Sequence, residues 1–171
     1  MKSFVIVVKD NNISESGFKE LKESYDKYGH EEGVEPYYAI DSYKAEMYAR
    51  GNGLHWNYPW SGQATDLKTG LIKTAYPTAD RGKRISCFLS HWYLWQKCKK
   101  LNENILILEH DARLIKRLPS DKTFNNCKYD IIGINDPSMA TRKSKLYHDK
   151  ILEGTQFFQP VPTIDEFNVP Q

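Results

Sequence analysis

"ILILEHDARL", residues 105–114, is the stretch on which the reading of the chain turns. Ile105 to Leu108 form a continuous aliphatic run, the composition of a strand buried on both faces, and Glu109, His110 and Asp111 follow at once. Open α/β sheets bind ligands beyond the carboxyl ends of their strands, which is where these three residues fall. Side chains two apart on a strand share a face, so Glu109 and Asp111 would stand about 6.6 Å apart along the chain. That spacing suits a division of labour, one carboxylate holding a divalent cation and the other accepting hydrogen bonds from a sugar hydroxyl. Oxygen ligands favour Mg²⁺ or Mn²⁺. If strand geometry persists, His110 points to the opposite face; if the strand ends at Glu109, His110 joins the site and its nitrogen tilts the choice toward Mn²⁺. Two plainer readings stand beside this one: the acids cap a turn, or Arg113 neutralises them in a surface ion pair.

Working outward, "SFVIVV" (3–8) is a second short apolar run and reads as a buried strand. Phe18, Leu21, Tyr25 and Tyr28 then recur at helical spacing, with Ser14 or Ser16 as the expected cap and Gly29 as the stop. "EPYYAID" (35–41) reads as another strand, so strand, helix and strand form a βαβ unit with a parallel sheet. Residues 51–84 are rich in Gly, Pro and aromatics without a period. They read as a long loop carrying at most one short element, either a binding loop or an insertion packed by its own aromatics.

"RISCFLSHWYLWQKCKKLN" (84–102) is the strongest helical signal, with Ile85, Phe88, Trp92 and Trp95 on one apolar stripe, Leu89 and Cys98 flanking it, and Lys97, Lys99 and Lys100 in its last turn. "KYDIIGIND" (128–136) reads as a further strand, and 137–171 as a polar tail punctuated by prolines. With 171 residues, one domain spanning 1–171 is expected. A net charge of +2 argues against bulk nucleic-acid binding. Three cysteines, Cys87, Cys98 and Cys127, show no metal-ligand spacing, which favours a reduced, cytoplasmic setting. No apolar run approaches the roughly 20 residues that span a bilayer.

Read as one piece, "CFLSHWYLWQKC" (87–98), the polar link "KKLNEN" and "ILILEHDA" (105–112) resemble the central signature of glycosyltransferase family 25, the lipooligosaccharide-type galactosyltransferases, of which phage genomes also carry members. There a Cys-x-x-Ser-His helix precedes an apolar strand ending in Glu-Asp-Asp. The resemblance implies a GT-A-like nucleotide-binding α/β sandwich with a mostly parallel central sheet. It also implies transfer of a hexose or pentose from a nucleotide-sugar donor to a hydroxyl acceptor, with inversion and usually with Mn²⁺. By position, Asp111 matches the final metal-binding acid and Glu109 the first, with His110 between them as the third member of the metal-site set; Ser90 and His91 match the Ser-His pair. For His91 a buried, helix-anchoring role is the alternative to ligand contact. First strands of such sheets line the nucleotide, so Val8, Lys9 and Asp41 join Glu109, Ser90 and His91 as nucleotide-sugar contacts. No catalytic base is chosen among Asp41, Asp130 and Asp136.

Three features depart from the family pattern. His110 replaces the middle acid. Lys83, Arg84, Ile85 and Ser86 stand where Gly-Glu-Ile-Gly is usual. Family members also continue past the length of this chain, so the fold is expected to be incomplete at its C-terminus. A glycan acceptor is favoured. The alternatives are hydroxymethylated phage DNA, tracked by "RGKR" (81–84) and "TRKSKLYHDK" (141–150), and a non-catalytic nucleotide- or glycan-binding homologue. Oligomeric state is not legible.

Overall fold

The computed structural model describes residues 1–134 except 68, 69, 71, 76, 77 and 79. The chain divides into two compact units, one of residues 1–57 and 77–125, the other of 58–76 and 126–171. In the first unit, β1 (Lys2–Val7) lies at the centre of a three-stranded parallel sheet, between β2 (Glu35–Tyr38) and β5 (Ile105–Glu109). Phe4 pairs with both Glu35 and Ile107, which sets the register of the two outer strands.

Two helices cover the sheet, one on each face, and the alternation along β1 shows how. Val5 and Val7 pack with Leu21 and Tyr25 of α1 (Asn12–Tyr28) and with Leu106 and Leu108. Phe4 and Ile6 point the other way and pack with Leu94 of α3 (Arg81–Leu101), joined by Ile105 and Ile107. A strand buried on both faces must be apolar at every position, which is why β1 and β5 read as unbroken aliphatic runs. The result is a mixed α/β unit with a small parallel sheet, in keeping with the expected α/β class.

α1 begins earlier than its serines suggested. Its cap is Asn11, whose side chain accepts the Ser14 N–H at 3.0 Å. Ser14 instead turns its hydroxyl to the Val8 N–H at 2.8 Å, tying the end of β1 to the helix. Asp10, with φ of 57°, makes the turn between them. β2 stops at Tyr38, short of the expected Asp41, and Asp41 caps a single 3₁₀ turn, Ser42–Lys44, that leads into α2 (Ala45–Gly51).

α3 starts at Arg81, with Asp80 accepting the Lys83 N–H at 2.9 Å, and ends on Asn102 in the left-handed conformation. Its buried side is not the aromatic stripe. Ile85, Ser86, Leu89, Ser90 and Leu94 are buried, whereas Phe88 and Trp95 are 39% and 41% exposed. The small serines let the helix close on the Ile40 backbone, a gap that rings of this size would hold open. Phe88 stacks edge-on against both Trp56 and Trp95 instead. Lys97 also leaves its expected role, lying 4.1 Å from the centroid of the Phe4 ring.

Within 51–84 the second unit holds a hairpin of β3 (Gln63–Thr65) and β4 (Ile72–Thr74), antiparallel, with the Tyr58 hydroxyl donating to the Thr74 carbonyl at 2.9 Å. The expected strand at 128–136 is not formed over its described part, 128–134, where Ile131 is 75% exposed and no described strand pairs with it. A short α4 (Asp121–Asn125) follows the sheet. Among the described residues, no helix is long and apolar enough to cross a membrane.

Candidate functional site

The two crossovers fix where a ligand can sit. α1 leaves β1 on one face, and α3 carries the chain across the other face to β5. The crevice at the carboxyl ends of β1 and β5, where the winding switches sides, is the place such sheets use for binding. Val8 and Lys9, both exposed, follow β1 at this edge, and Glu109 ends β5 beside them in register, opposite Ile6.

The strand ends at Glu109. His110 and Asp111 occupy a tight turn closed by the Ala112 N–H donating to the Glu109 carbonyl at 3.0 Å. The two carboxylates therefore do not share a strand face; each goes to a different helix. His110 and Asp111 line an open groove of about 460 Å³ together with Asn12, Ile13, Ser16 and Gly17 of α1. Gly17 makes this approach possible: a Cβ there would stand 2.7 Å from the His110 carbonyl oxygen. Arg113 ion-pairs with Glu20 of α1, so it neutralises neither Glu109 nor Asp111.

Glu109 turns to the α3 face, as its place in the alternation of β5 requires, and its Oε1 lies 2.8 Å from His91 Nε2. His91 is accordingly half-buried and anchored, with its ring 6.3 Å from Trp95. The hydrogen bond from His91 holds the Glu109 carboxyl below its ordinary range, against an opposing contribution from burial, and the charge of His110 adds to the lowering. Cys87, one turn before His91, completes a trio whose ligand atoms all lie within 4.8 Å of one another. Burial, followed by the charge of Glu109, pushes the Cys87 thiol up, with Arg84 opposing. The spacings among the three cysteines carry no metal-ligand pattern and so do not single out Cys87. The usable signal was the four-residue step from Cys87 to His91, which places both on one helix face.

Ser90 and Asp41 have local tasks. Ser90 is fully buried; its hydroxyl accepts the Ile40 N–H at 3.0 Å and donates to the Ser86 carbonyl at 2.8 Å. Ser86 in turn donates to the Ile40 carbonyl, so both backbone groups of Ile40 are satisfied from α3. The Asp41 carboxylate accepts the Tyr43 N–H at 3.0 Å. Gly82 lets the first turn of α3 close on this segment, since a Cβ there would meet the Ser42 carbonyl at 2.7 Å. Asp130 belongs to the second unit, while Asp136 and the basic stretch 141–150 lie outside the described residues.

Residues 79–149 match the family model for glycosyltransferase family 25 (LPS biosynthesis protein). The matched segment holds α3 and β5, and with them Cys87, Ser90, His91, Glu109, His110 and Asp111; Val8, Lys9 and Asp41 precede it. Glycosyl transfer is the general activity that this family implies, which calls for a nucleotide-sugar donor and an acceptor. No curated protein and no solved structure matches the chain.

Proposed function

We propose that the protein is a GT-A-like glycosyltransferase that moves a sugar, with inversion, from a nucleotide-sugar donor to a hydroxyl of a glycan acceptor. The observation that carries this reading is the coincidence of the family-matched segment with the binding edge of the sheet, where β5 delivers Glu109, His110 and Asp111. The acceptor oxygen forms a bond to the anomeric carbon, the bond from that carbon to the diphosphate breaks, and the acceptor proton passes to a base. The groove between Asp111 and the first turns of α1 suits the diphosphate, because the positive end of the helix dipole borders it. Glu20 also lines this groove but is paired with Arg113, which leaves Asp111 as the carboxylate offered to Mn²⁺ or Mg²⁺, ions commonly bound by one or two carboxylates together with substrate phosphates. Asp111 would hold the ion and His110 would border it; when bound, such an ion neutralises charge on the leaving diphosphate. Val8 and Lys9 then flank the nucleotide from the end of β1.

The test is Mn²⁺-dependent transfer or donor hydrolysis by the intact chain across a panel of UDP-, GDP- and CMP-sugars. Asp111→Asn is expected to lower the rate by roughly 100-fold. Its exposed position makes a folding defect an unsuitable explanation, and circular dichroism checks that. An active protein with unchanged kinetics in Asp111→Asn would refute the metal assignment.

A further inference from the structure

Cys87 and His91 lie one turn apart on α3, and Glu109 reaches them from the end of β5. We propose that these three side chains form a binding site for a thiophilic divalent cation, Zn²⁺ in the first instance, separate from the Asp111 groove on the other helix face. The ligand atoms already lie within 4.8 Å of one another. In a tetrahedral zinc sphere, with Zn–S about 2.3 Å and Zn–N about 2.0 Å, neighbouring ligand atoms stand roughly 3.3–3.8 Å apart. Side-chain adjustments of about 1 Å close the difference, and the helix supplies two of the three ligands at fixed spacing.

The donor set decides the metal. Thiolate, imidazole and one carboxylate suit zinc, whereas Mg²⁺ and Mn²⁺ prefer sites built from oxygen. Thiolate and carboxylate together balance the charge of the ion. A metal bound here takes Cys87 as its thiolate, the form in which cysteine coordinates. The hydrogen bond that must open to admit the metal is 29% exposed on His91 and 47% on Glu109, so little stability opposes the exchange. Trp95 against His91, and Phe88 against Trp95, provide an apolar wall of the kind that shields metal sites. Three protein ligands leave a fourth position for water or an incoming group, the arrangement of open rather than closed zinc sites.

The experiment reads metal binding without turnover, so its failure is distinct from failure of the transferase reading. The full chain, stripped with chelator, is titrated with Co²⁺ and then Zn²⁺. One equivalent of Co²⁺ is expected to give a thiolate-to-cobalt charge-transfer band, which Zn²⁺ abolishes, and Zn²⁺ is expected to slow alkylation of Cys87. Cys87→Ser should remove the band and weaken Zn²⁺ binding by at least about 100-fold, since even outer-shell losses cost 10–100-fold. Glu109→Gln should weaken binding by at least about 10-fold while keeping the band. Cys98→Ser, Cys127→Ser and Asp111→Asn should retain full affinity and the full band. Absence of the band in the unmodified chain, its survival in Cys87→Ser, or its loss in Asp111→Asn would each overturn the proposal.

Discussion

The two faces of the sheet are held by different means. On the α1 face, Val5, Val7, Leu106 and Leu108 meet Leu21 and Tyr25, joined by the 2.6 Å bond between the Ser3 and Tyr25 hydroxyls and by the 2.8 Å bond from the Val8 N–H to the buried Ser14 hydroxyl. On the α3 face the buried cluster is smaller, Phe4, Ile6 and Leu94, and Ser86 and Ser90 hold the helix against the Ile40 backbone. Serines satisfy backbone groups on both faces, but the larger apolar cluster anchors α1, whereas α3 leans more on its paired serine contacts to Ile40. The same contrast reaches the ligand edge. β5 gives its last strand residue, Glu109, to the α3 face and its turn residues, His110 and Asp111, to the α1 face. A single run of three residues thus reaches two chemically unlike clusters, one bearing the Asp111 carboxylate beside α1, the other the Cys87 sulfur and His91 nitrogen of α3.

The contrast breaks most visibly in the cores. Leu21→Ala, at a fully buried site, is expected to cost about 2–5 kcal/mol, read as a shift in the urea midpoint. Ser90→Ala should cost less, about 1–3 kcal/mol, because it strands the half-buried Ile40 N–H rather than opening a large cavity. Equal losses in the two variants would show that the faces are held alike.

Gly17→Ala sharpens the comparison on the α1 side. In an open helix the change would gain about 1 kcal/mol, but here the new Cβ meets the His110 carbonyl at 2.7 Å. A lowered melting temperature, with a raised KM for the donor, is the expected result, and a stabilised protein would mean that α1 does not hold the β5 turn this closely.

The smallest effect is pH-linked and belongs to the α3 side. In metal-free protein Glu109 has a depressed folded pKa, so its contact with His91 contributes stability above the ordinary glutamate range. That contribution is lost as the pH falls through the folded value. With Glu109 about half exposed, it amounts to no more than about 1 kcal/mol, visible as a difference between the unmodified chain and Glu109→Gln that closes in acid.

Much of this was legible beforehand. The apolar runs of β1 and β5 and the Leu21–Tyr25 stripe follow from periodicity, which responds to burial one element at a time. Bulk, by contrast, is a poor guide to α3: Phe88 and Trp95 lie on its apolar stripe, yet they stack on each other, and Phe88 on Trp56, outside the core. The caps were misread for a related reason: Asn11 and Ser14 are both good cap residues, and only the position of Val8 decides which of them faces the helix. "KYDIIGIND" has the composition of a strand, but a strand exists only where a neighbour pairs with it.

What the sequence determined by itself was the alternation of apolar strand and amphipathic helix, and the delivery of Glu109, His110 and Asp111 to a strand end. These are properties of consecutive residues, governed by local sterics and by the hydrophobic pattern. Only the tertiary structure decided which side each acid takes, because that depends on whether β5 ends at Glu109 and on which helix covers each face. The approach of Gly17 to the β5 turn and the meeting of Cys87, His91 and Glu109 are likewise contacts between elements distant in sequence. No periodicity within any one of those elements specifies them.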